Sequence, residues 1–249
     1  MSDRIIAVRT GKTIFRDGDR VIKQFERDYP KADVMSEALN QARIEETGLN
    51  VPRVIEVSET DGRTSIVSEY IKGCSLEQLM RNEPSRRDEY LEMLAAAQLD
   101  VHAAAAPLLP TLCQKLSRHI DSAPISHSAK KTLHRLLDSL PNTAELCHGD
   151  FVPSNLIVSE NGELFVLDWA HTAQGDGSAD AAASYLRMRI SGEIDTAESY
   201  LSIYCRSSGT DEELIKRWIP PVALWLAPRF RGRQRADLLS MAENFGGKL

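Results

Sequence analysis

Apolar and polar positions alternate with a period of two along the first part of the chain and change to a helical period after Gly73. Residues 4–8 read as a strand. Two pairs of short strand-like runs follow, 13–15 with 20–25 and 54–57 with 64–71, the first flanking Asp17-Gly18 and the second Asp61-Gly62. Such dipeptides accept the positive φ that tight hairpins need. Between the hairpins, residues 31–47 place Val34, Ala38, Leu39 and Ala42 at helical spacing, with Gly48 as a stop. The pattern predicts a small five-stranded antiparallel lobe with one helix.

Beyond Gly73 the spacing predicts helices. Residues 86–106 carry Leu91, Leu94, Ala95 and Gln98 and end at Pro107. Residues 111–122 repeat Leu112, Leu116 and Ile120, and 128–140 offer Leu133, Leu136, Leu137 and Leu140. A further hairpin, 156–158 with 164–167, turns at Asn161-Gly162. From Ala179 to Phe245 the chain reads as mostly helical, broken at Pro220-Pro221 and Pro228. The change of texture divides the chain into a strand lobe, 1–73, and a helical lobe, 74–249. A nucleotide is expected in the cleft between such lobes.

Composition adds limits. Of 249 residues, 42% are apolar and 27% charged, the proportions of an ordinary globular protein. A net charge of −6 argues against nucleic acid as a partner and mildly favours a cationic small molecule. Four scattered cysteines, with no C-x-x-C pair, point to neither a zinc site nor a disulfide framework, so a reducing cytoplasm is the expected compartment. The start, Met1-Ser2-Asp3-Arg4, does not read as a signal peptide, and no apolar run approaches the length of a membrane span. No membrane partner is expected, and oligomeric state has no signature here.

The candidate chemistry lies in His148-Gly149-Asp150-Phe151-Val152-Pro153-Ser154-Asn155 and in Leu167-Asp168-Trp169. Phosphoryl transfer needs a carboxylate to take a hydroxyl proton and hard oxygen ligands to hold Mg2+ across a polyphosphate. Asp150, Asn155 and Asp168 supply those groups. Taken singly, each is also an ordinary turn residue. Val21, Lys23 and Phe25 share one face of a strand, and Glu37 lies on the helix that follows.

The His-Gly-Asp-x-x-x-x-Asn loop with its downstream Asp-Trp resembles the catalytic loop of the aminoglycoside phosphotransferase and choline kinase family. These are small-molecule kinases with a protein-kinase-like fold. The resemblance implies an α+β, bilobal chain that moves the γ-phosphoryl of Mg-ATP to a hydroxyl of an aminoglycoside-, amino alcohol- or sugar-like acceptor. It implies Asp150 as catalytic base, Asn155 and Asp168 as Mg2+ ligands, and His148 as a prop for the loop. It also implies Lys23, held by Glu37, on the α- and β-phosphates, Val21 against the adenine ring, and backbone groups of Glu69 and Ile71 on the adenine edge. Gly11, in Arg9-Thr10-Gly11-Lys12-Thr13, stands where relatives carry a phosphate-covering turn; the full G-x-G-x-x-G is absent. A Walker A loop is rejected, because its first glycine would fall on Ile6 and the segment enters a strand.

Two other functions stay open: a non-catalytic nucleotide-binding sensor, and a protein kinase. The latter is opposed by the missing Ala-Pro-Glu and by Asp168-Trp169-Ala170 in place of Asp-Phe-Gly. His102 falls on an apolar stripe and reads as packed, while His119, His127, His134 and His171 show no metal-ligand spacing. Asp176 and Asp180 read as structural braces. The run Arg229-Phe230-Arg231-Gly232-Arg233-Gln234-Arg235 could attract an anion, although a solvated helix end is the plainer reading.

Overall fold

The computed structural model describes residues 4–9, 11–105 and 108–245. Met1-Ser2-Asp3, Thr10 of the first turn and Pro107, expected to end a helix, lie outside the described residues. In chain order the elements are β1 (Arg4–Arg9), β2 (Lys12–Asp17), β3 (Arg20–Phe25), α1 (Lys31–Glu45), β4 (Val54–Thr60), β5 (Arg63–Glu69), β6 (Gly73–Ser75), α2 (Leu76–Asn82), α3 (Arg87–Ala103), α4 (Leu112–Ser122) and α5 (His127–Ser139). There follow β7 (Glu145–Cys147), β8 (Leu156–Ser159), β9 (Leu164–Val166), β10 (Ala173–Gly175), α6 (Gly177–Ile190), α7 (Ile194–Ser208), α8 (Glu212–Leu226) and α9 (Gly232–Glu243). Two compact units result: Met1–Leu79 with Pro153–His171, and Met80–Val152 with Thr172–Leu249.

The first unit holds a five-stranded antiparallel sheet in the order β1-β2-β3-β5-β4. Asp61 and Gly62, both at positive φ, close the β4–β5 hairpin as a two-residue turn whose twist suits the strands. Phe25 packs with Val34 and Ala38 of α1 and Ile66 of β5, edged by Tyr29, Val54 and Val57. The apolar stripe expected on α1 needs correction at Leu39, which is exposed. The buried face includes Val34, Glu37, Ala38, Gln41 and Ile44. Polar residues occupy it because they find partners: Gln41 Nε2 donates to the Pro52 carbonyl at 2.6 Å.

Gly73 opens a further strand, not a helix. β6 pairs with β8, Gly73 opposite Ser159, and β8 pairs with β9. This small sheet ties Pro153–His171 to the first unit although 73 residues, 80–152, separate it from Leu79 in sequence.

In the second unit α3 buries Leu91, Leu94, Ala95 and Gln98, together with Val101 and His102. Helix α4 buries Leu112, Leu116 and Ile120 and starts at Thr111, whose side chain accepts the Gln114 amide. Ser126 caps α5 in the same way. The expected break at Pro220-Pro221 does not occur: both prolines lie buried inside α8. Their missing N–H groups free the carbonyls of Lys216 and Arg217, exposed residues that water can serve. Burial of Trp218, Val222 and Trp225 around them offsets the cost. Pro228 does sit past the helix end, in the 3₁₀ turn Ala227–Arg229. Among the described residues, no helix is long and apolar enough to cross a membrane.

Candidate active site

In the first unit, the period of β3 turns Lys23 to the same side as Phe25, toward α1. There the Lys23 ammonium pairs with Glu37 Oε1 and, at 3.1 Å, with Asp168 Oδ1. Lys12 Nζ stands 3.7 Å from the other Glu37 oxygen. Glu37 is buried, and a buried carboxylate persists when paired in this way. Burial works against the Lys23 ammonium, but Asp168 and Glu37 outweigh it and hold its pKa above the ordinary lysine value. Burial likewise disfavours the Asp168 carboxylate, yet Lys23 and Lys12 keep its pKa well below the usual carboxylate range.

Asp168 has φ 63°, a left-handed conformation that costs an L-residue about 1–2 kcal/mol. Short Asp side chains tolerate it better than most. The Leu167 amide donates to the Asn155 carbonyl at 2.8 Å, extending the β8–β9 ladder by one step past the Leu156–Val166 pair. Asn155, in the 3₁₀ turn Pro153–Asn155, and Asp168 therefore lie at the same end of one hairpin. An amide oxygen and an ionised carboxylate are hard donors that fit Mg2+, and these two residues would hold it. Among the described residues there is no group of three or more His, Cys, Asp or Glu suited to a metal.

The second unit carries the other half of the motif. β7, paired with β10, leads into His148-Gly149-Asp150. His148 is fully buried, and its Nδ1 accepts the Asp150 amide at 3.1 Å, which fixes the remaining ring proton on Nε2 in the neutral imidazole. Asp180, in the first turn of α6, accepts the His148 amide at 3.1 Å and the Gly149 amide at 2.6 Å. It also binds Gln98 Nε2 and His102 Nε2, each at 3.1 Å. Tyr200 donates to Gln98 Oε1, and Tyr204 lies 3.1 Å from His102 Nδ1. Burial opposes the Asp180 charge, but the His102 hydrogen bond leads the interactions that keep its pKa below the ordinary value. Asp150 itself meets two arginines: its Oδ1 lies 2.8 Å from Arg187 Nε and 3.7 Å from Arg229 Nη1. Arg229 Nη1 also donates to the Gly149 carbonyl at 2.8 Å.

A family model described as the phosphotransferase enzyme family matches residues 2–217. The chain belongs to this family. It is a phosphotransferase, a small-molecule kinase with an alcohol group as acceptor. Solved structures share the fold. The apo form of a thermostable mutant of the aminoglycoside phosphotransferase APH(4)-Ia superposes with a TM-score of 0.70 at 16% identity, covering 100% of this chain and 95% of that one. Choline kinase LicA from Streptococcus pneumoniae gives 0.61 at 16% identity, covering 97% and 92%. Aminoglycoside phosphotransferase APH(3'')-Id from Streptomyces rimosus gives 0.60 at 17% identity, covering 92% and 93%. At such identities the likeness is one of fold: the kinase-like α+β arrangement with an antiparallel sheet and a helical C-terminal part. No curated protein matches the chain.

The remaining expected positions of this phosphotransferase have ordinary structural partners. Gly11 takes φ 74° between β1 and β2, and an added Cβ would meet the Tyr29 ring at 2.8 Å. Val21 pairs with Ser68 and is half-buried. The Glu69 amide is taken by the Arg53 carbonyl at 3.0 Å, and Ile71 is buried. The Gly175-Asp176-Gly177 segment explains why no proline follows Asp176. The Gly177 amide donates to Glu145 Oε2 at 2.8 Å, and a Cβ there would strike His102 Nδ1 at 2.6 Å. Sequence reasoning missed Lys12, Arg187 and the reach of Asp180. Only the basic run ending at Arg235 gave a signal, and of it Arg229 alone approaches Asp150.

Proposed function

We propose that this phosphotransferase moves the γ-phosphoryl of ATP to a hydroxyl of a small molecule, with Asp150 as base and Lys23 on the polyphosphate. The observation that carries the reading is the double pairing of Lys23. One ammonium lies against a buried helix carboxylate and against Asp168, which presets a cation for phosphate oxygens and leaves Glu37 to hold it when Asp168 turns to other work. Asn155 and Asp168 would bind Mg2+. When present there, Mg2+ offsets charge on the phosphate oxygens. Asp150 orients the acceptor hydroxyl and takes its proton as the oxygen attacks. His148 and Asp180 keep the loop that carries Asp150 in one conformation. Val21, Glu69, Ile71 and Gly11 are assigned to the nucleotide by the motif resemblance.

Fold neighbours support a nucleotide and an alcohol acceptor by analogy: one is described as a ternary complex with AMP-PNP and hygromycin B. The test is a phosphorylation screen with Mg-ATP over aminoglycosides, amino alcohols, sugars and sugar derivatives, run beside Asp150→Asn. Transfer that disappears in the variant supports the reading, and transfer that survives overturns it. Lys23→Met is expected to raise the KM for ATP by about 10-fold or more, as loss of a charge-assisted contact of about 1.5–3 kcal/mol implies. Initial rates across an ATP series check this; an unchanged KM and kcat would remove Lys23 from the nucleotide.

A further inference from the structure

The chain is acidic overall, with a net charge of −6, yet the surroundings of Asp150 are cationic. Arg187 and Arg229 both face its Oδ1, at 2.8 and 3.7 Å, and both side chains are largely buried, at 25% and 16% exposure. Aromatic faces fix them: Arg187 lies 5.2 Å from the Phe230 ring centre and Arg229 4.9 Å from that of Trp225. The excess of positive charge extends further. Burial, with Arg229 and Arg118, pushes the Lys115 ammonium down to about 8, and burial with Arg229 and Lys115 lowers His119.

Arg187 and Arg229 bring two guanidinium groups to the same oxygen of Asp150. The Arg187 guanidinium reaches Asp150 through Nε, and among the described residues its two terminal amino groups meet no hydrogen-bond acceptor. A guanidinium is a planar fork of five donors matched to carboxylate and phosphate oxygens. Held beside the base, it repels an acceptor bearing an ammonium group and attracts one bearing an oxyanion.

We propose that the acceptor is an anionic alcohol, a hydroxy acid or a phosphorylated polyol, whose oxyanion is bound by Arg187 with Arg229 while its hydroxyl lies at Asp150. The proposal rests on Asp150 being the base. In the step, the acceptor oxygen forms a bond to the γ-phosphorus, the bond from that phosphorus to the β,γ-bridging oxygen breaks, ADP leaves, and the hydroxyl proton passes to Asp150. The local field thus overrides the mild preference for a cation that net charge suggests.

The test compares gluconate, glucose 6-phosphate, glucose, ethanolamine and kanamycin as acceptors with Mg-ATP, using wild type, Arg187→Gln, Arg187→Lys and Asp150→Asn. Expected is Asp150-dependent transfer to an anionic acceptor. Its KM should rise about 10–100-fold in Arg187→Gln with a smaller change in kcat, and Arg187→Lys should partly restore it. Preference for gluconate identifies a carboxylate, and preference for glucose 6-phosphate a phosphate. Asp150-dependent transfer to kanamycin, ethanolamine or glucose that Arg187→Gln leaves unchanged overturns the anionic acceptor and leaves the kinase reading intact. Binding is read separately, by calorimetric titration of both anions into the ADP-loaded protein. No binding of either anion, or equal binding by Arg187→Gln, also overturns the proposal. Anion binding that Arg187→Gln abolishes, with transfer to an acceptor that Asp150→Asn leaves unchanged, removes Asp150 as base and ends the acceptor assignment.

Discussion

Asp150→Asn is expected to lower turnover by about 10²–10⁴, the usual contribution of a positioned base. The substitution keeps the size of the side chain and the backbone contact to His148 Nδ1, so the loop keeps its shape. An amide nitrogen or oxygen in place of the carboxylate cannot take a hydroxyl proton at neutral pH. Nucleotide affinity should change little, because Lys23, Glu37 and Asp168 belong to the other compact unit. Single-turnover rates with a working acceptor, beside nucleotide titrations, check both halves. A variant that turns over normally removes Asp150 from the chemistry.

Asp180→Ala is expected to have the largest effect on stability, about 3–5 kcal/mol, because it removes one partner of a buried charged network. Four donors converge on this carboxylate: the His148 and Gly149 amides, Gln98 Nε2 and His102 Nε2. Without it the two amides and the imidazole lose their acceptor in a buried site, and Gln98 Nε2 keeps only the Ser184 hydroxyl at 3.2 Å. The fall in Tm should be on the order of 10 °C for a chain of this size. Asp180→Asn should fall between wild type and Ala, since its amide nitrogen must point at one of the donors. The pH dependence follows from the lowered pKa. A carboxyl whose folded value lies below its unfolded one stabilises the fold above the unfolded value near 4, and that contribution fades as pH falls through the folded value. Denaturation of wild type and variant at neutral pH and in acid should show the gap narrowing in acid. A gap that is absent at neutral pH would show that Asp180 braces nothing.

The hairpins and most helices were legible because each rests on neighbours in sequence. Asp61-Gly62 closes its turn by local dihedral preference, and Leu112, Leu116 and Ile120 line one side of α4 by helical period alone. The candidate loop was legible for a related reason: residues 148 to 155 and 168 form a compact chemical pattern. What escaped depended on distance. Arg187 and Arg229 stand 37 and 79 residues beyond Asp150, and nothing in a one-dimensional pattern distinguishes them from solvated arginines. Leu39 was expected inside because it is apolar, whereas Gln41 is inside because the Pro52 carbonyl waits for it. The Pro220-Pro221 pair reads as a helix stop by local rules, and tertiary packing overrides them.

The hairpin that carries Asn155 and Asp168 pairs with β6, while the segments on either side of it, ending at Val152 and resuming at Thr172, belong to the helical unit. Neither unit can therefore be excised, swapped or expressed alone by severing the polypeptide at one point. A fragment stopping at Leu79 would leave β6 as a raw edge, inviting strand addition from another copy, and supplying the peptide 153–171 in trans should heal it.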